Sequence, residues 1–276
     1  KWPPRIIFNT EGNMALKYLK RLNTDDVTEV FEELAKAGVD VVSVHIGLDD
    51  DLSWRGSQHG ELWGENMADQ ITNLFPPNDS NQISVLGMNL TGSDLLQISL
   101  VKMIDDGHDI FQLYVDRAKQ TGLGIYAFFR MNDAHCNNEP RMEDARRSAI
   151  KMNRPDLLIG SPAPYMNKQG EEWNFCWQWD FAQVEVRERF LGLFDETLTR
   201  YDVDGLHLDY TRKPPYFKPG QAFKNISTMT EFMRKASEIV HAHANRRNKD
   251  IKLTCRVPAS IDASIELGID IEKWIS

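Results

Sequence analysis

Asp209 and His207 stand two residues apart in the stretch YDVDGLHLDYTRKP, residues 201–214, and are the side chains around which a reaction could be organised. The stretch reads as a helix end at Tyr201, a short acidic turn over residues 202–205, and then a strand. Strand alternation sends His207 and Asp209 to one face and Leu206, Leu208 and Tyr210 to the other. Such a strand packs its apolar side against helices and turns its polar side toward a barrel axis. A carboxylate near the C-terminal end of a barrel strand sits where catalytic groups concentrate. The plainer alternative is that Asp209 pairs with Arg212 or caps a loop.

The same alternation, applied to the other apolar runs, adds Asn9 and Glu11, His45, Arg130 and Asn132, and Arg256 to the polar face. Barrel interiors favour branched apolar side chains, and each polar group buried without a partner costs roughly 1–3 kcal/mol. The set therefore reads as a site for a polar ligand, with a hydrogen-bonded plug as its alternative. Glycoside hydrolysis generally uses two carboxyl groups. Asp209 is the first candidate, and Glu11 and Asp133 are the candidates for the second. A positive neighbour such as His207 or Arg130 suits Asp209 to a nucleophile's part. Asn9, His45, Arg130, Asn132, His135, His207 and Arg256 are then expected to position substrate. Trp173, Trp177 and Trp179 alternate with polar residues, so in extended backbone their indoles line one side and can stack on pyranose rings; burial in a core is the commoner fate of Trp. A metal held by His45, Asp133, His135 and His207 is a further alternative, although those four have neither HxH nor HxxxH spacing. No cofactor is expected, since no Gly-rich phosphate or dinucleotide loop follows a strand.

The elements that must position these groups alternate in type. Strands are expected over residues 5–9, 39–47, 124–132, the organising stretch, and 251–258. Helices are expected after a cap at Asn23 or Thr24, from Asp109 to Gly122, over residues 139–153, and from Val186 to Tyr201; another should open on a Thr228–Glu231 capping box, and a last one should lie near residues 272–276. Strands alternating with helices imply an α/β protein with a parallel sheet, here a (β/α)8 TIM-type barrel. Five core strands fall short of eight, so the barrel is expected to be incomplete at its C-terminus. A single domain over 1–276 is expected, with an insertion at about 48–105 after strand two and an aromatic loop at about 155–182.

With 41 acidic against 32 basic residues the formal charge is −9, and no basic tract exists to meet nucleic acid or an anionic membrane. No apolar run reaches the roughly 20 residues of a membrane span. Cys136, Cys176 and Cys255 fit neither a disulfide framework nor a zinc knuckle. Seven Trp are in keeping with a flat apolar ligand such as a sugar ring.

The segments RIIFNTEGN (5–13), GHDIFQLYVDRAKQTGLGIYAFFRMNDAH (107–135), WDFAQVEVRERF (179–190), RYDVDGLHLDYTRKPPYF (200–217), RVPAS (256–260) and LGIDIEKWI (267–275) resemble, in that order, the glycosyl-hydrolase-like family ten proteins. The resemblance implies a (β/α)-barrel acting on oligo- or polysaccharides in bacteria, commonly exported, hence extracellular or periplasmic with a signal peptide removed. It also implies further strands beyond residue 276. Where this chain has His207, that family's pattern is often acidic. The GLHLD run also resembles the fourth-strand signature of alpha-amylase-type barrels, which implies that Asp209 is a nucleophile. A glycan-binding barrel without catalysis, and a metal-dependent carbohydrate hydrolase or lyase, are the alternatives.

Overall fold

The computed structural model describes residues 3–10, 28, 30–46, 52–62, 84–85, 88–89, 103–132, 149–160, 165–166, 172–173 and 178–275. The chain forms two compact units, Lys1–Phe128 with Asn138–Ser148, and Phe129–Asn137 with Ala149–Ser276.

In the first unit β1 (Ile7–Thr10), β2 (Val41–His45) and the first residues of β3 (Gly124–Arg130) pair in parallel and in chain order. Helices α1 (Val30–Lys36) and α2 (Ile110–Thr121) alternate with them. The limits of α2 are local chemistry: the Asp109 carboxylate accepts from the Gln112 amide at 3.1 Å, and Gly122 ends the helix in the left-handed region at φ 74°. Between these ends Ile110, Phe111, Tyr114, Val115 and Ala118 are buried on one stripe. Phe31 of α1 stacks on Tyr114 at 5.9 Å between centroids. Fully burying each such side chain is worth about 1.5–3 kcal/mol, and β2 is buried along its whole length. The start of the expected insertion belongs to this core. Trp54 is buried against Phe111, centroids 6.2 Å apart, and the Ser53 amide and hydroxyl both bond the Ile46 carbonyl at 2.7 Å.

The second unit continues β3 with Phe129 and Arg130 and adds α3 (Ala149–Asn153), α4 (Val184–Arg200), β4 (Gly205–Asp209), α5 (Ile226–Arg247), β5 (Lys252–Arg256), α6 (Ile261–Glu266) and α7 (Ile271–Ile275). β4 and β5 are parallel, in register from Gly205 opposite Lys252 to Asp209 opposite Arg256. Leu206, Leu208 and Tyr210 are fully buried, and the Tyr210 hydroxyl donates to Met233 Sδ of α5 at 3.0 Å, so this is the helix-packed face. Phe129 meets Phe194 of α4 edge-on at 4.8 Å, on that same side of the strands. The last carbonyls of α4 are satisfied by Arg247 of α5, which donates to Leu198 and, at 3.0 Å, to Tyr201. Lys249 Nζ holds the acidic turn before β4 through Asp202 at 2.7 Å and Asp204 at 2.9 Å.

In both units parallel strands alternate with helices and pair without a reversal of order, which is the winding of a (β/α)8-like barrel rather than of a doubly wound sheet. Two local expectations change. Helix α5 begins at Ile226, two residues before the expected capping box: a 3-10 turn over Phe223–Asn225 leads into it, Asn225 stands at the N-cap without a side-chain cap bond, and Glu231 bonds Arg234 at 2.6 and 2.7 Å. Helix α6, opened by the Ser260 hydroxyl accepting from Ala263 N at 3.1 Å, was not anticipated. The caps at Asn23 or Thr24 and most of the helix expected over 139–153 lie outside the described residues.

Gly268 tests the packing that follows α6. It sits at φ 83°, and a Cβ there would lie 2.7 Å from Phe217 Cε2 and 3.0 Å from the Ala222 carbonyl oxygen. Gly268→Ala is expected to lower the unfolding free energy by roughly 2–4 kcal/mol, measured by urea denaturation; a loss under about 0.5 kcal/mol would contradict the packing described.

Candidate functional site

The site is built at the C-terminal ends of β3, β4 and β5, all within the second unit. Asp209, the last residue of β4, is buried. Its backbone is fixed from both sides: its carbonyl accepts from Met131 N at 3.2 Å, and the next amide, Tyr210 N, donates to the Arg256 carbonyl at 2.7 Å. Its carboxylate is fixed by the residue two positions on. Oδ1 accepts from both the amide and the hydroxyl of Thr211, each at 2.7 Å. Oδ2 is left to an ion pair with Arg256 Nη1 at 3.5 Å. Among the described residues the two carboxylate oxygens are thus inequivalent, Oδ1 taking two short bonds and Oδ2 a single longer contact.

His207 lies on the same face by alternation and is half-buried, opposite Thr254 in the register. Burial lowers its pKa from 6.5; the Asp209 carboxylate opposes this shift and the Arg256 guanidinium adds to it. The imidazole is therefore neutral at pH 7 and offers one donor and one acceptor. Arg130 ends β3 directly before Met131, on the face opposite Phe129, and is buried. Arg256 is 59% exposed in its side chain.

The loop that follows Asp209 is clamped from one side. Asn132 donates through Nδ2 to the carbonyls of Trp179 at 3.1 Å and Pro215 at 2.7 Å, and its Oδ1 accepts from Trp179 N at 2.8 Å. Gln178 donates to the carbonyls of Lys213 and, at 3.3 Å, Pro214, and Phe181 N bonds the Tyr216 carbonyl at 2.9 Å. Asn132 behaves as a piece of backbone that ties the 178–181 segment to the 213–216 loop. Beyond it, Asp180 is buried, accepts from Ala182 N at 3.0 Å and stands 3.8 Å from Lys218 Nζ, at the entrance to α4.

The structure gathers Arg130, Asn132, Trp179, His207, Asp209 and Arg256 in this unit, but not all in the expected parts. Asn132 was expected on substrate; its amide is taken up by backbone instead. Trp179 was expected as a stacking wall, yet it is fully buried, with Lys151 Nζ 5.1 Å and Arg189 Cζ 5.3 Å from its ring, because the core captures an indole more readily than the surface does. Asn9 and His45 belong to the first unit: Asn9 is exposed, and His45 is buried edge-on to Phe128 at 5.3 Å. Glu11, Asp133, His135 and Trp177 lie outside the described residues. Among the described residues no three His, Cys, Asp or Glu side chains are grouped to hold a metal ion, and no helix is long and apolar enough to cross a membrane. Sequence reasoning missed Thr211, Gln178 and Asp180. The Asp-x-Thr spacing of residues 209–211 was the available signal for Thr211, since a carboxylate readily accepts from backbone and hydroxyl groups two residues on.

No family model and no curated protein matches the chain. Among solved structures it is similar to a noncanonic maltogenic alpha-amylase, AmyB, from Thermotoga neapolitana (14% identity over 96% of this chain and 48% of that one, TM-score 0.46). It is also similar to an alpha-L-fucosidase isoenzyme 2 from Paenibacillus thiaminolyticus (10% identity, 90% and 32%, TM-score 0.44) and to the GH36 alpha-galactosidase AgaA from Geobacillus stearothermophilus (11% identity, 96% and 29%, TM-score 0.43). The chain spans about half or less of the length of each. The expected kinship with the glycosyl-hydrolase-like family ten proteins is corrected by these findings: no family model matches, and the similar structures are an amylase, a fucosidase and a galactosidase, not members of that family.

Two outcomes follow from the geometry. Asn132→Ala removes the bridge and leaves Trp179 and Pro215 backbone groups without their partner, so unfolding free energy should fall by roughly 2–4 kcal/mol; denaturation indistinguishable from the parent would contradict the clamp. His207, with its pKa lowered on folding, stays neutral in the folded state while the unfolded chain takes up a proton first. Its contribution to stability is complete above about pH 6.5 and is lost as pH falls through the lowered folded value. Denaturation at pH 7 and pH 5 should show a smaller acid-side loss in His207→Gln than in the parent; equal losses would contradict it.

Proposed function

We propose that the chain is a carbohydrate-active hydrolase that cleaves a glycosidic bond of an oligo- or polysaccharide, with Asp209 as nucleophile. The observation that carries this reading is the asymmetric seating of the Asp209 carboxylate at the end of β4. Thr211 fixes Oδ1 by two short bonds, so the side chain cannot rotate away, and Oδ2 keeps lone-pair density for an anomeric carbon. In this mechanism Oδ2 attacks the anomeric carbon as the glycosidic C–O bond breaks, and a second carboxyl group protonates the departing oxygen. Glu11 and Asp133 remain the proposed sources of that proton. On this reading His207, neutral at pH 7, holds sugar hydroxyls beside the reacting bond, and Arg256 lies on the same face beside the sugar.

A second reading is favoured by one feature. Among the described residues at the ends of β3, β4 and β5, Asp209 is the only carboxylate, whereas hydrolysis calls for a pair. On that reading the barrel binds a glycan without cleaving it.

Replacing the carboxylate separates the two. Asp209→Asn should reduce hydrolysis of any glycan cleaved by the parent by roughly 10²–10⁴-fold, with binding retained in titration calorimetry. Full activity in the variant would sink the nucleophile assignment, and glycan binding without turnover in the parent would favour the binding module.

A further inference from the structure

We infer that the carbohydrate taken at Asp209 carries a carboxylate, as a hexuronate does, and that Arg256 is the residue that reads it. The inference rests on the reading of this strand-end face as a carbohydrate site. Arg256 stands beside Asp209 on this face, on the neighbouring strand, and its guanidinium reaches toward solvent.

The pairing of Arg256 is also unlike that of a residue present only to neutralise Asp209. A guanidinium committed to a carboxylate forms a bidentate fork with nitrogen–oxygen distances of about 2.7–2.9 Å. Arg256 instead touches Asp209 through Nη1 alone at 3.5 Å, with more than half of its side chain exposed. Thr211 already meets the hydrogen-bonding need of Oδ1. Among the described residues the Arg256 guanidinium makes no hydrogen bond, so its planar donor fork is available to a second carboxylate. The register fixes where that carboxylate goes. Arg256 lies directly opposite Asp209 on the neighbouring strand, so a ring whose anomeric carbon approaches Oδ2 has its own substituents within reach of Arg256. Lys at this position would keep the charge but lose the fork.

The test uses the full chain and oligosaccharides of polygalacturonate, alginate and hyaluronan, each beside its carboxyl-reduced neutral counterpart. Binding is read by calorimetry and cleavage by reducing-end release in the same samples, for the parent, Arg256→Gln and Arg256→Lys. The expected result is at least a tenfold preference for one acidic form over its reduced partner. That preference should collapse toward unity in Arg256→Gln and survive in part in Arg256→Lys. Equal binding of acidic and reduced forms, or a preference untouched by Arg256→Gln, overturns the inference, and cleavage of the reduced form in that case leaves the hydrolase reading standing. An acidic glycan that binds through Arg256 but is never cleaved supports the inference and removes the hydrolase reading. Absence of binding to every acidic form overturns the inference.

Discussion

A carboxylate removed from water must find donors inside the protein, and the arrangement of the second unit follows from how Asp209 finds them. Desolvating such a group without compensation costs several kcal/mol. Thr211 supplies two donors from the very next turn of chain, so the carboxylate is satisfied locally and does not depend on a distant loop. Arg256 adds charge from the neighbouring strand, but from a half-solvated position where the pair contributes less than a buried one would. The carboxylate is therefore held mainly by backbone and hydroxyl.

That local solution requires the chain after Asp209 to stay put, and here the fold and the site meet. The loop leaving β4 is fastened by Asn132, Gln178 and the Phe181 amide, all of which bond its carbonyls. The 178–181 segment is fastened in turn by the buried Trp179 ring and by Asp180 at the start of α4. Below it, Arg247 and Lys249 hold the end of α4 and the acidic turn, which sets the height at which β4 enters the sheet. Catalytic geometry is commonly lost through displacements of about 1 Å. A strand end anchored by neighbours on both sides and by a bonded loop resists such a shift.

Much of this frame was legible in the residues. The alternation of Leu206, Leu208 and Tyr210 against His207 and Asp209 gave the two faces of β4 because period two has a single physical meaning in a half-polar strand. Asp109 and Gly122 bounded α2 for the same kind of local reason. All five parallel strands were found where apolar runs predicted them, each within a few residues. What sequence could not supply was the use made of polar groups over long separations. Asn132 and Trp179 are 47 residues apart, and nothing in either neighbourhood announces that the amide will bond backbone rather than ligand. Trp179 looked like a platform because its neighbours are polar and alternate, but its ring went to the core. The family kinship failed for a different reason: no family model matches the chain, and blocks such as YDVDGLHLDY meet the demands of any barrel strand, so their pattern alone does not assign a family.

The most direct test of the central claim is to trap the sugar on the protein. Incubation of the chain with a panel of 2-deoxy-2-fluoro glycosyl fluorides, including uronic acid members, slows the second chemical step and lets a covalent glycosyl-enzyme accumulate, and peptide mass mapping then locates the modified side chain. The account predicts an adduct on the peptide that contains Asp209, on that carboxylate. A sugar found on any other carboxylate would contradict it.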